Sequence, residues 1–264
     1  MKMYAPKRFP GGVIRYGEIE SLDEMVTSEK SHFSPKEIYL PIVQTTFFFR
    51  NDDCIESEID DEKIVIYART CDIEAASRLD TIFLLNGNQE DLYYKRLRDK
   101  VEFRLIACKE SFENCFCKSM GIDGASENKK KVSLPDAPVM DKNFWEKFNE
   151  KCISCGGCSA VCPTCSCFDT IDVIYSETST DGERRRIWGS CMREDFGMMA
   201  GGHNVRKTPG ERLRFRVMHK TYDFKKRFGK SHMCVGCGRC VDRCPNEISI
   251  IDILSEIAEG SKAK

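Results

Sequence analysis

The chain has almost no net charge: 41 basic residues stand against 42 acidic ones, giving a formal net charge of −1 over 264 residues. That balance leaves no electrostatic basis for nucleic-acid binding or for a membrane-surface role of the whole chain. Long hydrophobic runs are missing too. The longest, such as Ile42–Phe49, falls far short of the roughly 20 apolar residues that span a bilayer. The first ten residues, MKMYAPKRFP, lack the apolar stretch of a secretory signal, so a soluble cytoplasmic protein is expected. There is no G-x-G-x-x-G fingerprint, no phosphate-binding loop and no convincing triad, so neither nucleotide binding nor acid, base or nucleophile chemistry is expected.

Cysteine is what the chain has in excess, 16 in all. In a small secreted protein such a number suggests a disulfide framework. In a long chain of cytoplasmic type, thiols kept for metal are the better reading.

The sequence divides at residues 121–142, a polar stretch with a lysine run and two prolines that reads as a linker or surface loop. Before it, residues 1–120 show an α/β pattern. Lys63–Ala68 is a β-rich run, Asp72 is a candidate cap for a helix reaching about Leu85, and Asn86–Asn88 breaks that helix. A second helical piece, Asp91–Lys100, leads into a strand at Val101–Cys108, so a parallel βαβ unit is expected. Glu37–Phe49 is expected to add strands to the same sheet. After the division, residues 143–264 hold most of the cysteines. Asp141 caps a helix from Asn143 to Lys151, Phe168–Tyr175 and Glu183–Trp188 form a hairpin, and Thr208-Pro209-Gly210-Glu211 opens a helix running toward Arg227. The expected class is α+β: an α/β domain with a partly parallel sheet, then a ferredoxin-like domain with an inserted hairpin and helix.

The decisive pattern is Cys152-x2-Cys155-x2-Cys158-x3-Cys162-Pro163, repeated as Cys234-x2-Cys237-x2-Cys240-x3-Cys244-Pro245. Three cysteines two residues apart wrap one corner of a cuboidal 4Fe-4S cluster, and the fourth, ahead of proline, reaches across to a second cluster. One cluster is therefore assigned Cys152, Cys155, Cys158 and Cys244, and the other Cys234, Cys237, Cys240 and Cys162. Structural zinc sites use two close pairs of ligands, a different spacing.

Four further thiols fall before the division. Cys71 follows the first strand of the βαβ unit, Cys108 ends the second, and Cys115 and Cys117 lie in the loop beyond. The carboxyl ends of neighbouring parallel strands form one edge, so the four could meet there as a third 4Fe-4S site. Small buried hydrophobes and a zinc site are the alternatives. Cys165, Cys167 and Cys191 number one too few for a cluster and read as support around the first motif, while Cys54 sits in an acidic loop. His203–Lys230 holds ten Lys/Arg against two acidic residues; it reads as a solvated helix face or as a docking surface for an acidic redox partner.

With these residues the chain resembles the iron–sulfur electron-transfer subunit of the anaerobic, siroheme-type sulfite reductase, and more distantly the iron–sulfur β subunits of sulfhydrogenases. The resemblance runs through Arg69-Thr-Cys-Asp-Ile-Glu-Ala, Arg78-Leu-Asp, Asn86-Gly-Asn, Tyr94, Glu110-Ser-Phe-Glu-Asn-Cys-Phe-Cys and Ser119-Met-Gly. It continues in Cys152-Ile-Ser-Cys-Gly-Gly-Cys, Cys162-Pro-Thr-Cys, Gly182-Glu-Arg-Arg-Arg, Ala200-Gly-Gly-His, Pro209-Gly-Glu-Arg-Leu-Arg and His232-Met-Cys-Val-Gly-Cys-Gly-Arg-Cys. The resemblance implies a relay protein passing electrons from a flavin-containing, NADH-oxidising subunit to a siroheme subunit that reduces sulfite to sulfide. The family carries a longer segment between Ser119-Met-Gly and Asn143-Phe-Trp than the short one here. The alternatives are the β subunit of a soluble hydrogenase and, in another class, a zinc-stabilised scaffold.

Overall fold

The computed structural model describes all residues except 59, 123–129, 136, 140, 230 and 263–264. Its strands are β1 (Lys2–Arg8), β2 (Ile14–Glu18), β3 (Val43–Arg50), β4 (Asp53–Glu56), β5 (Ile64–Arg69), β6 (Val101–Ile106), β7 (Phe168–Ile174) and β8 (Gly182–Trp188). They form two four-stranded sheets, ordered β2-β1-β5-β6 and β4-β3-β8-β7.

The first sheet is partly parallel. β5 pairs in parallel with β6 on one side and with β1 on the other, and only β2 runs antiparallel. The helix Thr70–Phe83 crosses between β5 and β6, and its Ala76, Leu79 and Phe83 pack on Ile66 and Ala68 of β5 together with Tyr16, Tyr39 and Tyr94. The expected βαβ unit is present. Two details differ. Arg69, not Asp72, precedes the helix, because the Asp72 carboxylate is fully buried and bound elsewhere. The strands flanking β5 come from the N-terminus and from Val101–Ile106, whereas β3 joins the other sheet.

That second sheet draws on both sides of the polar stretch. β7 and β8 form the expected hairpin, and β3 pairs antiparallel with β8 from Val43↔Ile187 to Phe49↔Gly182, with a bulge between Thr45 and Phe47. Glu37–Tyr39, at the start of the segment expected to be strand, belongs instead to the short helix Lys36–Tyr39. Cys54 lies exposed on the edge strand β4 and not in a loop.

The larger core belongs to the cysteine-rich half. Ile250, Ile251, Ile253, Leu254 and Ile257 line one face of the terminal helix Ile250–Lys262 and pack with Trp145, Leu213, Val217 and Phe116. Apolar residues of the polar stretch join it: Ile122 and Val132 are buried, and the Trp145 indole N–H donates to the Val139 carbonyl at 3.1 Å. Ile122, Val132, Leu134 and Val139 thus anchor that stretch to the core, while Lys131, Ser133, Ala137 and Pro138 stay exposed; residues 123–129, 136 and 140 lie outside the described residues. The helix Pro209–Met218 starts with the expected capping box, Thr208 accepting from the Glu211 N–H, and continues through a π turn to Phe228 before Gly229 ends it.

Candidate metal centres

The loop Cys152–Cys158 leaves the helix Phe148–Lys151 and turns through Ser154 (φ +55°) and Gly156 (φ +73°), which places Cys158 in the helical turn Gly157–Ala160. Cys244 follows the helix Arg239–Arg243. Cys152, Cys155, Cys158 and Cys244 line one cavity, walled by Met192, Leu213, Val217, Ile248, Ile250 and Ile253. A cage of four thiols in an apolar wall fits a cubane, which needs thiolate corners and exclusion of water. The Ile248 N–H points at the Cys244 sulfur at 3.3 Å, the kind of N–H···S contact that tunes such a centre.

The second motif repeats this geometry with Gly236 and Gly238 at φ +63° and +75°. Both glycines are required. A Cβ on Gly236 would sit 2.6 Å from the Cys117 nitrogen, and one on Gly238 would sit 2.2 Å from the Asn114 carbonyl oxygen. The Phe116 N–H donates to the Gly236 carbonyl at 2.8 Å, so this loop is locked against the Asn114–Cys117 segment. Burial pushes the Cys234 thiol up to about 12, against the Gly236 N–H that favours its thiolate, and the nearby Cys162 sulfur pushes it further. Cys162 acts the same way on Cys237 and Cys240, so the fourth cysteine of the first motif is electrostatically coupled to the first three of the second. Thiols held neutral by burial bind metal by releasing protons.

Cys71, Cys108, Cys115 and Cys117 converge as well. All four line a single cavity at the carboxyl edge of β5 and β6, together with Lys30, Arg69, Phe112, Cys237 and Arg239. The thiols of the first and third sets thus each line one cavity, while the second set is tied together by the electrostatic pull of Cys162 on Cys234, Cys237 and Cys240. Among the described residues no three metal-binding side chains close on one point.

Sequence reasoning missed the charges between these places. Arg239 joins the second set to the third. Its guanidinium forks onto Asp72 at 2.6 and 2.8 Å and also donates to the Ser31 carbonyl and hydroxyl. Tyr16 donates to the same carboxylate at 3.1 Å. Arg212, Arg216 and Lys220 of the basic segment point inward and are buried, so that stretch is not simply a solvated face. Arg216 donates to the Cys158 carbonyl at 2.8 Å and lies 3.2 Å from the Cys165 sulfur. Burial works against the charge on Lys220, but the Cys162 and Cys165 sulfurs outweigh it and hold its pKa above the ordinary lysine value. The available signal was periodicity: Arg212, Arg216 and Lys220 recur every four residues beside Leu213 and Val217.

Comparison with known proteins agrees with this chemistry. Residues 151–248 match a family model described as a 4Fe-4S dicluster domain. The C-terminal half therefore carries a 4Fe-4S dicluster domain within a mixed α/β protein. At 28% identity the chain is similar to sulfhydrogenase 2 subunit beta of Pyrococcus furiosus, over 319 aligned positions that cover 98% of this chain and 93% of the relative. The alignment has more positions than this chain has residues, so the relative carries additional residues within it. No solved structure matches the chain. Among the described residues no helix is long and apolar enough to cross a membrane.

Proposed function

We propose that this chain is an iron–sulfur electron-transfer subunit of a multisubunit oxidoreductase, with Cys152, Cys155, Cys158 and Cys244 holding one 4Fe-4S cluster, Cys234, Cys237, Cys240 and Cys162 a second, and Cys71, Cys108, Cys115 and Cys117 a third. The observation that supports it best is continuity between the three sets. Cys240 of the second set lines the cavity of the first, and Cys237 lines the cavity of the third. The Cys115 sulfur lies 3.6 Å from the Cys237 carbonyl. The second cluster therefore stands in the middle of a line. Its ends differ: Cys155 is exposed at the first set, and the third opens toward the cleft lined by Arg69, Lys109 and Phe112. Electrons enter at one end and leave at the other, and none of the protein's side chains serves as acid, base or nucleophile.

For the partner, the soluble-hydrogenase reading gains the most support, because the relative found over nearly the whole chain is a sulfhydrogenase β subunit. The β-subunit role places a flavin-containing, NADH-oxidising subunit on one side and a nickel-bearing catalytic subunit on the other. The sulfite-reductase reading, with a siroheme subunit in that position, rests on strings such as Glu110-Ser-Phe-Glu-Asn-Cys-Phe-Cys and Pro209-Gly-Glu-Arg-Leu-Arg. Purification of the native complex separates them: nickel supports the first, siroheme the second. A colourless, zinc-loaded chain would remove both.

A further inference from the structure

The turn that closes the first cysteine motif carries a hydroxyl group. In Cys162-Pro163-Thr164-Cys165 the proline ring fixes the first corner, and the Cys165 N–H closes the turn on the Cys162 carbonyl at 3.4 Å. Lys36 holds the far side, donating to the Cys165 carbonyl at 2.9 Å. Thr164 is thereby folded back over Cys162. It is fully buried, and its hydroxyl oxygen lies 3.4 Å from the Cys162 sulfur, where either atom could act as donor.

Lys220 settles the direction. Its ammonium nitrogen lies 3.0 Å from the same hydroxyl oxygen. Burial opposes the charge on Lys220, and the nearby sulfurs of Cys162 and Cys165 more than offset that cost. An ammonium group has hydrogens and no lone pair, so it can only donate. The Thr164 oxygen therefore accepts from Lys220 and keeps its own hydrogen for the Cys162 sulfur. Lys220 is tied to the second motif as well. It lies in the π turn His219–Asp223, where the Phe224 N–H reaches back to the His219 carbonyl, and the Lys220 carbonyl accepts the Cys234 N–H at 3.1 Å. One residue thus meets the second set from two sides, by its backbone at Cys234 and through Thr164 at Cys162. The matching place after Cys244 holds Asn246, whose amide donates instead to the Lys151 carbonyl at 2.6 Å.

We propose that Thr164 donates a hydrogen bond to the Cys162 thiolate of the second cluster, that Lys220 is the positioning residue holding the hydroxyl in that direction, and that together they raise this cluster's reduction potential. The proposal rests on the assignment of Cys162 to the second set. A hydrogen bond to a ligand sulfur, with a cation behind it, strengthens as negative charge on the sulfur grows, so it favours the form carrying one more electron. No bond is made or broken: the electron comes from a partner subunit, and the hydroxyl hydrogen stays on Thr164.

The test is a potentiometric titration of the full chain, purified anaerobically and followed by electron paramagnetic resonance, with iron counted in every variant. Thr164→Val keeps the shape and removes the hydroxyl. It should retain its iron and weaken reduction of one cluster about tenfold, a shift of about 59 mV toward negative potential. Thr164→Ser restores the hydroxyl and should return most of that shift. The signal that moves should be the one lost in Cys237→Ala. Lys220→Met should shift the same signal, and by less in the Thr164→Val background than in wild type, because part of its effect passes through the hydroxyl. Unchanged potentials in Thr164→Val with iron intact overturn the proposal, as do a shift that Thr164→Ser does not reverse and movement of a different signal. Iron lost from Thr164→Val marks the hydroxyl as structural and overturns it too. Shifts that simply add in the double variant overturn the positioning role of Lys220. Should Lys220→Met fail to fold, the two Thr164 variants still decide the matter. A wild-type chain without iron, or a Cys237→Ala chain that keeps every signal, removes the cluster assignment itself.

Discussion

The Asp72–Arg239 pair is the joint between the cysteine motif of the C-terminal half and the helix that carries Cys71. Asp72 is fully buried and Arg239 is 2% exposed. The guanidinium makes four hydrogen bonds, two to Asp72 and two to Ser31, and Tyr16 adds a fifth to the carboxylate. Asp72→Ala leaves a buried arginine without its anion, which costs about 3–5 kcal/mol. Replacing both partners, Asp72→Leu with Arg239→Met, removes the orphaned charge and should recover most of that loss. Tyr16→Phe removes one hydrogen bond and should cost about 1 kcal/mol. Anaerobic urea unfolding gives the readout; the single variant should shift the midpoint by about 1–2 M with the slope unchanged. Arg239 sits directly between Cys237 and Cys240, so Asp72→Ala should also loosen iron held by the second and third sets. A cost below about 1 kcal/mol, or a double variant as weak as the single, would refute the reasoning.

Other expectations follow from the same geometry. Gly238→Ala forces a side chain to within 2.2 Å of the Asn114 carbonyl at a positive φ, so it should cost at least about 2 kcal/mol and deplete iron from the second and third sets; normal iron content would contradict this. Arg216→Met removes a buried cation beside Cys158 and Cys165, and should make the first cluster's reduction potential more negative by roughly 60 mV or more; redox titration checks it. Burial, then the charges of Lys220 and Arg216, depress His219 from 6.5 to about 4. The unfolded chain therefore binds the extra proton between those values, so stability falls as pH drops through 6.5 toward 4 and is unaffected above. Between pH 7.5 and 5.5 the loss should be about 1 kcal/mol and should vanish in His219→Gln; equal pH slopes in both proteins would rule it out.

Much of this was legible because it is local. The Thr208 capping box and the β7–β8 hairpin each depend on neighbours in sequence, and each folds as the residues suggested. The convergence of Cys71, Cys108, Cys115 and Cys117 followed from a single topological rule about parallel strands. What escaped is nonlocal. β3 has the same β-rich texture whichever sheet takes it, and its pairing with β8 is decided across more than a hundred residues. Asp72 is an excellent cap in isolation, but its carboxylate is claimed by Arg239 from the far half. The terminal helix is an exception: Ile250, Ile253, Leu254 and Ile257 carry a clear helical period, overshadowed by the cysteine motif just before it. Lys36 carries no sequence mark at all; its burial against Cys165 and Trp188 arises only from tertiary packing.

The central claim is that electrons move along a line of clusters whose middle member is held by Cys162, Cys234, Cys237 and Cys240. Stepwise dithionite reduction of the anaerobic chain, followed by electron paramagnetic resonance, tests it most directly. A brown protein is expected, whose signals broaden and split through spin coupling as neighbouring clusters become reduced, and whose coupling disappears when Cys237→Ala removes the middle cluster. Independent, uncoupled signals, or a colourless protein holding zinc, would contradict it.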